Sequence, residues 1–356
     1  MRRSGKIIRI TVFLLLAVIM LAATFNVLWL KDDDHARITM DTFYKLPKNS
    51  VDVMLVGPSS IREHYIPPLA YAESGVVSYS LSTGAQNFDA AKYLISEAEL
   101  TQDPMLYVVD VRALAGISSM YYSEAAIRKV ADSMHIYSPY RFEYINRMYD
   151  RWDSTWGYDS SRLDLLYGAG VYHYRWEDID PEDLGIEYSS WMGYSLEERV
   201  CVFDNEDRLK NMTDERGPLK SYAEEILNDF LDYCDANDLN VLFVNMPGDY
   251  EKEYNLALNT IGDMVGNRGY ELLDLNRHVE EIGLDTGTDM RDYIHVNTGG
   301  AVKVTRYLDE YLKENYGISD RRNEGKDIYA IWQDKYASFV AETDKRFIID
   351  DRIKGG

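Results

Sequence analysis

Five short apolar runs, each separated from the next by a long connection, constrain the fold of this chain most strongly. They are rich in Val, Ile, Leu, Tyr and Phe and occupy residues 51–56, 76–81, 105–111, 240–246 and 270–275. Continuous apolar runs are typical of strands buried on both faces, and helical connections join such strands by right-handed crossovers. Suitable helical patterns occupy residues 85–100, 222–236 and 300–316. We therefore predict an α/β fold with a flavodoxin-like, doubly wound parallel sheet.

The stretch over residues 113–219 interrupts this alternation. It is rich in Tyr, Trp and acidic residues and contains no second set of buried runs. We expect it to form a mostly helical insertion after the third strand, inside one domain that spans residues 51–318. Residues 319–356 are expected to add an amphipathic helix and a polar tail.

The first thirty residues predict a membrane anchor. A basic tip, MRRSGK, precedes residues 10–30, which carry no charge and provide about the 20 apolar residues that a membrane-spanning helix needs. A cleaved signal peptide would have a shorter apolar region and a small-residue cleavage site, which LAATFN matches poorly. The positive-inside rule places Arg2, Arg3 and Lys6 in the cytoplasm. Residues 31–50 would then form an extracytoplasmic stalk, and we expect a single-pass protein of the cell membrane.

The charge and the cysteine content exclude several classes of protein. The formal net charge is −22, and no dense Lys/Arg patch follows the basic tip, which argues against a nucleic-acid partner. Only Cys201 and Cys234 are present, so a disulfide scaffold is excluded, while one bridge between the two stays open. No Cys and His spacing typical of a metal site occurs, and we expect no metal and no cofactor.

Two serines directly follow the first apolar run, in VMLVGPSS. Ligands of open parallel sheets bind beyond the carboxyl ends of the strands, and Gly57 would permit a sharp turn there. Ser60 precedes Glu63 by three residues, the spacing of a capping box, so we expect Ser60 to cap the next helix. Ser59 would then be free to act as a nucleophile. An ordinary loop in which both serines cap is the alternative.

A base for this serine is predicted near the end of the domain, in DYIHVNTGG. His295 follows the last predicted strand, and Asp292 precedes it by three residues. At this spacing the carboxylate can hold the Nδ1 proton of the imidazole while Nε2 faces Ser59. A surface helix cap is the alternative for such a pair. The histidines set aside lie in helical, inserted or stalk contexts: His35, His64, His135 and His278.

Three segments together carry a family resemblance. VDVMLVGPSS, YSLSTGAQNF and DYIHVNTGGAVKVTRYL occur in this order and resemble the SGNH (GDSL-like) hydrolase superfamily. The likeness is closest to its membrane-anchored branch, which includes the D-alanine transfer protein of teichoic acid modification and SGNH-type O-acyltransferases of envelope polysaccharides. It covers most of residues 50–115 and 219–316.

The resemblance implies a role for each matching position. Ser59 corresponds to the nucleophile, and Asp292 and His295 correspond to the pair of the final motif. Gly84 corresponds to the glycine whose N–H contributes to the oxyanion hole, together with the N–H of Ser59 itself.

The third strand departs from the family pattern. SGNH hydrolases place an Asn after this strand, whereas LYVVDVRAL offers Asp110 and Arg112. Arg112, Gln86 or Asn87 could supply the third oxyanion contact or touch the substrate. A buried structural pair of Arg112 with Asp110 is an equal alternative.

The resemblance implies an acyltransferase or esterase. His295 would deprotonate Ser59, which would attack an ester or thioester and pass the acyl group to water or to another hydroxyl. Related anchored proteins imply a membrane-bound O-acyltransferase-type protein as acyl donor and a cell-wall or exported polysaccharide, or a teichoic-acid-like polymer, as acceptor. The aromatic segments YHYRW and YSSWMGY would form a carbohydrate platform or simply pack the insertion. The missing Asn favours a different role, that of a catalytically silent scaffolding or binding subunit of an envelope assembly.

Overall fold

The five apolar runs form five parallel strands in one sheet. The computed structural model describes residues 2–28, 36–116, 118–168, 172–177, 179, 190–202, 210–324 and 327–346. The strands are β1 Val53–Gly57, β2 Ser78–Ser82, β3 Leu106–Asp110, β4 Val241–Asn245 and β5 Glu271–Asp274. Their order, β2-β1-β3-β4-β5, is that of flavodoxin-like doubly wound sheets. The predicted α/β fold with a parallel sheet is confirmed.

Helices connect the strands, and further helices precede β1 and follow β5. Before β4 they are α1 Arg2–Leu28, α2 Ala36–Phe43, α3 Ser59–His64, α4 Pro67–Ser74, α5 Ala90–Ala98, α6 Arg112–Ala115, α7 Ser119–Tyr122, α8 Glu124–Ser133, α9 Pro139–Trp156, α10 Arg162–Tyr167 and α11 Ser221–Ala236. After β4 they are α12 Lys252–Asn267, α13 Val279–Ile282, α14 Thr298–Tyr316 and α15 Ala330–Arg346.

Both faces of the sheet are covered, which explains why the strands are apolar throughout. Alternate residues of a strand point to opposite faces. On one face, Met54 and Val56 pack with α5, α11, α12 and the insertion. On the other, Val53 and Leu55 pack with side chains of α3 and α14. Each fully buried aliphatic side chain of this kind contributes about 1.5–3 kcal/mol to stability.

The connection between β3 and α11 contains no strand in its described residues, and it folds mostly as short helices. Many of its aromatic residues are internal: the Tyr122 and Trp152 rings lie 4.3 Å apart between centroids, and those of Tyr93 and Tyr144 lie 5.6 Å apart. These rings pack the insertion against α5, and none of them belongs to YHYRW or YSSWMGY, for which the carbohydrate platform stays a prediction.

The expectation of a stalk is wrong from residue 36 onward. Residues 36–43 form α2, whose Met40 and Phe43 are buried against the sheet. The hydroxyl of Tyr79 on β2 also donates to the carbonyl of Thr39 at 2.6 Å. The apolar residues at positions 36, 40 and 43 follow the helical period, so this segment belongs to the domain. Residues 29–35 lie outside the described part of the chain.

Helix α1 is long and apolar enough to cross a bilayer over Gly5–Thr24. Twenty helical residues span about 30 Å, the thickness of the hydrocarbon core. This supports a single-pass anchor, and the orientation expected from the basic tip stays a prediction.

The last helix also belongs to the domain, which therefore extends beyond residue 318. Helix α15 packs on α4, and Trp332 is completely buried, with its indole Nε1 donating to the Ser78 carbonyl at 2.9 Å. The expected polar tail, residues 347–356, lies outside the described residues.

One buried acid on α14 makes stability depend on pH. Asp309 is completely enclosed, and the Tyr65 hydroxyl donates to its Oδ1 at 2.6 Å. Burial raises the pKa of Asp309 to about 7, although the Tyr65 bond opposes the shift. An Asp in the unfolded chain titrates near pH 4, so the folded state holds this proton more tightly.

We expect the free energy of unfolding to fall as pH rises from about 4 to about 7, because the unfolded state then loses its proton first. Asp309→Asn cannot ionise and should lack this part of the decline. Across this pH range the free energy of unfolding of the wild type should therefore fall by up to about 4 kcal/mol more than that of the variant. Denaturant unfolding of the full chain in detergent at several pH values measures the difference. Parallel pH profiles of the two proteins would contradict the assignment.

Candidate active site

The end of β1 is shaped by its contact with β3. A Cβ atom on Gly57 would lie 2.7 Å from the Cβ of Asp110 and 2.7 Å from Cγ1 of Ile61. Glycine is therefore required here because two neighbours come close, and not because the backbone turns sharply. Helix α3 begins at Ser59, immediately after the extended Pro58.

Ser59, His295 and Asp292 form a continuous hydrogen-bonded chain. Ser59 Oγ lies 2.7 Å from His295 Nε2, and His295 Nδ1 lies 3.0 Å from each carboxylate oxygen of Asp292. A carboxylate only accepts, so Nδ1 carries the proton and Nε2 of the neutral ring accepts from Ser59. The structure thus brings together the three residues predicted to be catalytic.

The loop before α14 fixes the carboxylate. Asp292 Oδ1 accepts from the backbone N–H groups of Ile294 and His295, both at 2.9 Å. Partial burial would raise the pKa of Asp292, but the hydrogen bond to His295, these backbone bonds and the charge of Arg291 hold it well below its usual range. Asp292 is therefore ionised at neutral pH and can stabilise a protonated His295.

Arg291 connects this loop to α3. Its Nη1 lies 2.6 Å from a carboxylate oxygen of Glu63 and 3.1 Å from one of Glu197, and its Nε lies 3.3 Å from Asp292. Because Glu63 is buried on the helix that begins at Ser59, this ion pair ties the base to the nucleophile.

The predicted capping box is wrong. The N-cap residue of α3 is Pro58, and no side chain caps this helix. The helix begins two residues earlier than the box requires, so Ser60 lies inside the first turn, and Glu63 binds Arg291 instead of the helix start. The buried Ser60 hydroxyl lies beside Asp110, where burial raises the pKa of the carboxyl while Arg112 and Ser60 oppose the shift.

Gly84 lies in the turn that follows β2. Gly57 pairs with Ser82, so Gly84 stands two residues beyond β2 at the same sheet edge at which Ser59 stands two residues beyond β1. Gln86 holds this turn, because its Oε1 accepts from the backbone N–H of Thr83 at 3.0 Å.

Asn87 does not supply an oxyanion contact. Its amide Nδ2 donates to the Tyr144 hydroxyl at 2.8 Å and to the Tyr121 carbonyl at 3.3 Å, and its Oδ1 accepts from Ala90 N at 3.0 Å. The side chain therefore joins the first residue of α5 to the insertion.

Arg112 reaches the loop that carries His295. Its Nη2 donates to the carbonyl of Ile294 at 2.9 Å and to the hydroxyl of Tyr250 at 2.5 Å. Asp110 accepts from the backbone N–H of Arg112 at 2.6 Å, so no guanidinium pair of Arg112 with Asp110 holds the side chain. Arg112 is only 3% exposed, and its Nε and Nη1 have no hydrogen-bond partner within the described part of the protein.

His64 is a neighbour of the site that the sequence analysis set aside. It is completely buried at the end of α3, with Nε2 3.2 Å from the Pro247 carbonyl and its ring centroid 6.1 Å from that of His295. Burial, with Arg112 and His295 nearby, holds its pKa well below the usual value. His64 is therefore neutral. Its position on the helix that begins at Ser59 was the signal that could have indicated that it lies near the site.

An open cleft of about 520 Å³ lies beside Tyr250, the residue that accepts a hydrogen bond from Arg112. Its volume is within the range typical of small-molecule sites, and Ser59, His295 and Asp292 are not among the residues that line it. The backbone N–H of Asp249, at its edge, donates to the Tyr293 carbonyl at 2.7 Å, which joins the cleft to the loop of His295. Apolar, aromatic and charged side chains line it, including Leu114, Pro218, Lys220, Tyr250, Glu251 and Tyr254.

We expect Gly57→Ala to lower the free energy of unfolding by about 1–3 kcal/mol, because the added methyl group overpacks the contact with Asp110 and Ile61. Displacement of α3 should also reduce the reactivity of Ser59. Gly266→Ala in α12 is the matched control, because its Cβ would meet nothing within 4 Å. Denaturant unfolding of both variants measures the effect, and equal stabilities would contradict the steric account.

Comparisons with known proteins leave the family open. No protein-family model matches the chain, and no curated protein is significantly similar to it.

Proposed function

We propose that this chain is a membrane-anchored serine acyltransferase or esterase of the SGNH type. The observation that carries the proposal is the chain of hydrogen bonds from Ser59 through His295 to Asp292, with distances of 2.7 and 3.0 Å. A nucleophile in contact with a base, and a base oriented by a carboxylate, is the arrangement that nucleophilic catalysis requires.

In the proposed reaction, His295 Nε2 takes the hydroxyl proton as Ser59 Oγ attacks the carbonyl carbon of an ester or thioester. The tetrahedral intermediate collapses, and His295 returns the proton to the departing alkoxide or thiolate. The acyl group then remains on Ser59 as an ester. In the second half, His295 removes a proton from water or from an acceptor hydroxyl, and the oxygen of that group attacks the ester carbonyl carbon. The bond from this carbon to Ser59 Oγ then breaks, and His295 returns the proton to Oγ.

The oxyanion needs donors, and we assign three groups to it. The backbone N–H groups of Ser59 and Gly84 are the two that the SGNH resemblance implies. Arg112 takes the place of the missing Asn, because its buried Nε and Nη1 are unpartnered within the described residues. A fixed positive charge at this place would stabilise the negative charge that develops on the carbonyl oxygen.

The anchor supports a reaction at the membrane. A tether raises the effective concentration of the domain near a donor held in the same bilayer. The proposed donor is a membrane-bound O-acyltransferase-type protein, and the proposed acceptor is a hydroxyl of an exported or cell-wall polysaccharide. The cleft beside Tyr250, about 520 Å³ in volume, would accommodate a sugar unit or an acyl chain.

A silent scaffolding subunit is the second candidate, and one observation favours it. Asp110 and Arg112 stand where SGNH hydrolases place Asn, so the usual oxyanion donor is missing. The bond between Ser59 and His295 supports the enzyme instead, because neither side chain caps a helix: α3 has no side-chain cap, and Asn297 caps α14.

We expect Ser59→Ala to abolish acylation of the full chain in detergent by p-nitrophenyl acetate, since the variant lacks the attacking oxygen. The wild type should release a burst of p-nitrophenol and carry one acetyl adduct, which intact-mass analysis and peptide mapping place on Ser59. Ser60→Ala is the matched control and should keep the burst. Added oligosaccharides that accelerate deacylation and become acetylated would identify a transferase.

Two results would contradict the proposed enzyme. If the wild type gains no adduct, or Ser59→Ala gains the same one, the enzyme is excluded and the scaffold becomes the better account.

We expect Arg112→Gln to slow acylation of Ser59 by about 100-fold to 1,000-fold, the usual cost of a lost oxyanion donor. Tyr250→Phe is the matched control, because it removes a partner of Nη2 but leaves Nε and Nη1 in place. Burst rates measure the loss, and thermal unfolding of each variant checks that the fold is retained. If folded Arg112→Gln acylates at the wild-type rate, Arg112 has no catalytic role.

A further inference from the structure

Two large aromatic side chains project from the insertion into solvent. They belong to the 3₁₀ helix His173–Glu177, where Tyr174 is 58% exposed and Trp176 is 65% exposed. Tyr137 and Tyr167 of the insertion are also exposed, but Tyr174 and Trp176 flank a residue that contacts α1. Tyr and Trp combine an apolar ring with a polar atom and are enriched where proteins meet the surface of a membrane.

The residue between these two aromatics contacts the end of the predicted anchor. Arg175 Nη1 donates to the carbonyl of Leu28 at 2.9 Å, and Leu28 is the last residue of α1. The final carbonyl groups of a helix lack partners within the helix and attract basic side chains. This bond therefore fixes the 3₁₀ helix beside the end of α1.

The length of α1 gives the depth of this contact. The uncharged run of α1 begins at Ile10, and Leu28, the last residue of the helix, lies about 27 Å further along, close to the thickness of about 30 Å of the hydrocarbon core. The polar headgroup layer occupies roughly 5–7 Å on each side of the core. When α1 spans a bilayer with Ile10 at one boundary of the hydrocarbon core, the Leu28 carbonyl and the guanidinium bound to it thus lie at the other boundary, beside the headgroup layer.

We propose that Tyr174, Arg175 and Trp176 form a membrane-docking surface that inserts into the headgroup layer of the leaflet in which α1 ends. The occupant of this surface is the lipid of the bilayer that α1 spans. Binding to this surface does not require anionic lipid, because a chain of formal net charge −22 gains little attraction from an anionic surface. The proposal stands apart from the proposed acyl transfer, since it rests on α1 and on the insertion alone.

Docking at this surface would attach the domain to the membrane at a second point. The insertion, and with it the sheet edge that carries Ser59, would then keep one orientation toward the bilayer.

Tryptophan quenching in lipid nanodiscs tests this proposal on the full chain. Phosphatidylcholine brominated on its acyl chains near the headgroup acts as the quencher in the interface, and iodide acts as the quencher in water. Subtracting the spectrum of Trp176→Phe from that of the wild type isolates the emission of Trp176. Trp191→Phe is the control, because Trp191 packs against Phe339 of α15, away from the proposed surface.

We expect the Trp176 component to be quenched by the brominated lipid and shielded from iodide, while the Trp191 component is not quenched by the lipid. Arg175→Ala should reduce lipid quenching of Trp176, because the bond to Leu28 is lost. Quenching by iodide alone would place the segment in water and overturn the proposal. Shielding from both quenchers would show that protein, such as a second copy of this chain, covers the surface, and would overturn it as well.

Discussion

The close parallel contact of β1 with β3 is the constraint on which the rest of the site depends. It leaves no room for a side chain at Gly57, and it brings the ends of both strands to one edge together with the end of β2. Ser59 and Arg112 are each carried two residues past the ends of their strands. The chemistry of the site thus follows from backbone pairing, and the side chains need no long loop to reach one another.

The second half of the site depends on electrostatics as well as on packing. Asp292 is bonded within its own loop, and Arg291 links that loop to Glu63 on α3. Charges that are partly removed from water are costly unless they are paired. This pairing gives His295 and Ser59 a common framework, although they come from opposite ends of the domain.

The sequence predicted what depends on local pattern and missed what depends on distant contacts. Every strand begins within two residues of its predicted start, because a strand buried on both faces is apolar throughout. The capping box failed because the helix begins two residues earlier, a shift that alters the role of Ser60 without altering the hydrophobic pattern. The short helix of residues 36–43 was mistaken for a stalk because polar residues separate its few apolar ones. The bond from Arg112 to Tyr250 spans 138 residues, and no local signal indicates it.

Two segments cover the edge of the sheet at β2: the insertion, through Met192, and α15, through Trp332. The Ser80 N–H donates to the Met192 carbonyl at 3.0 Å, and the Ser78 carbonyl accepts from Trp332. An uncovered edge strand offers unpaired backbone groups to strands of other molecules and promotes aggregation. If α1 anchors the protein in a membrane, neighbouring domains would meet at high local density, and this cover would keep them separate and folded.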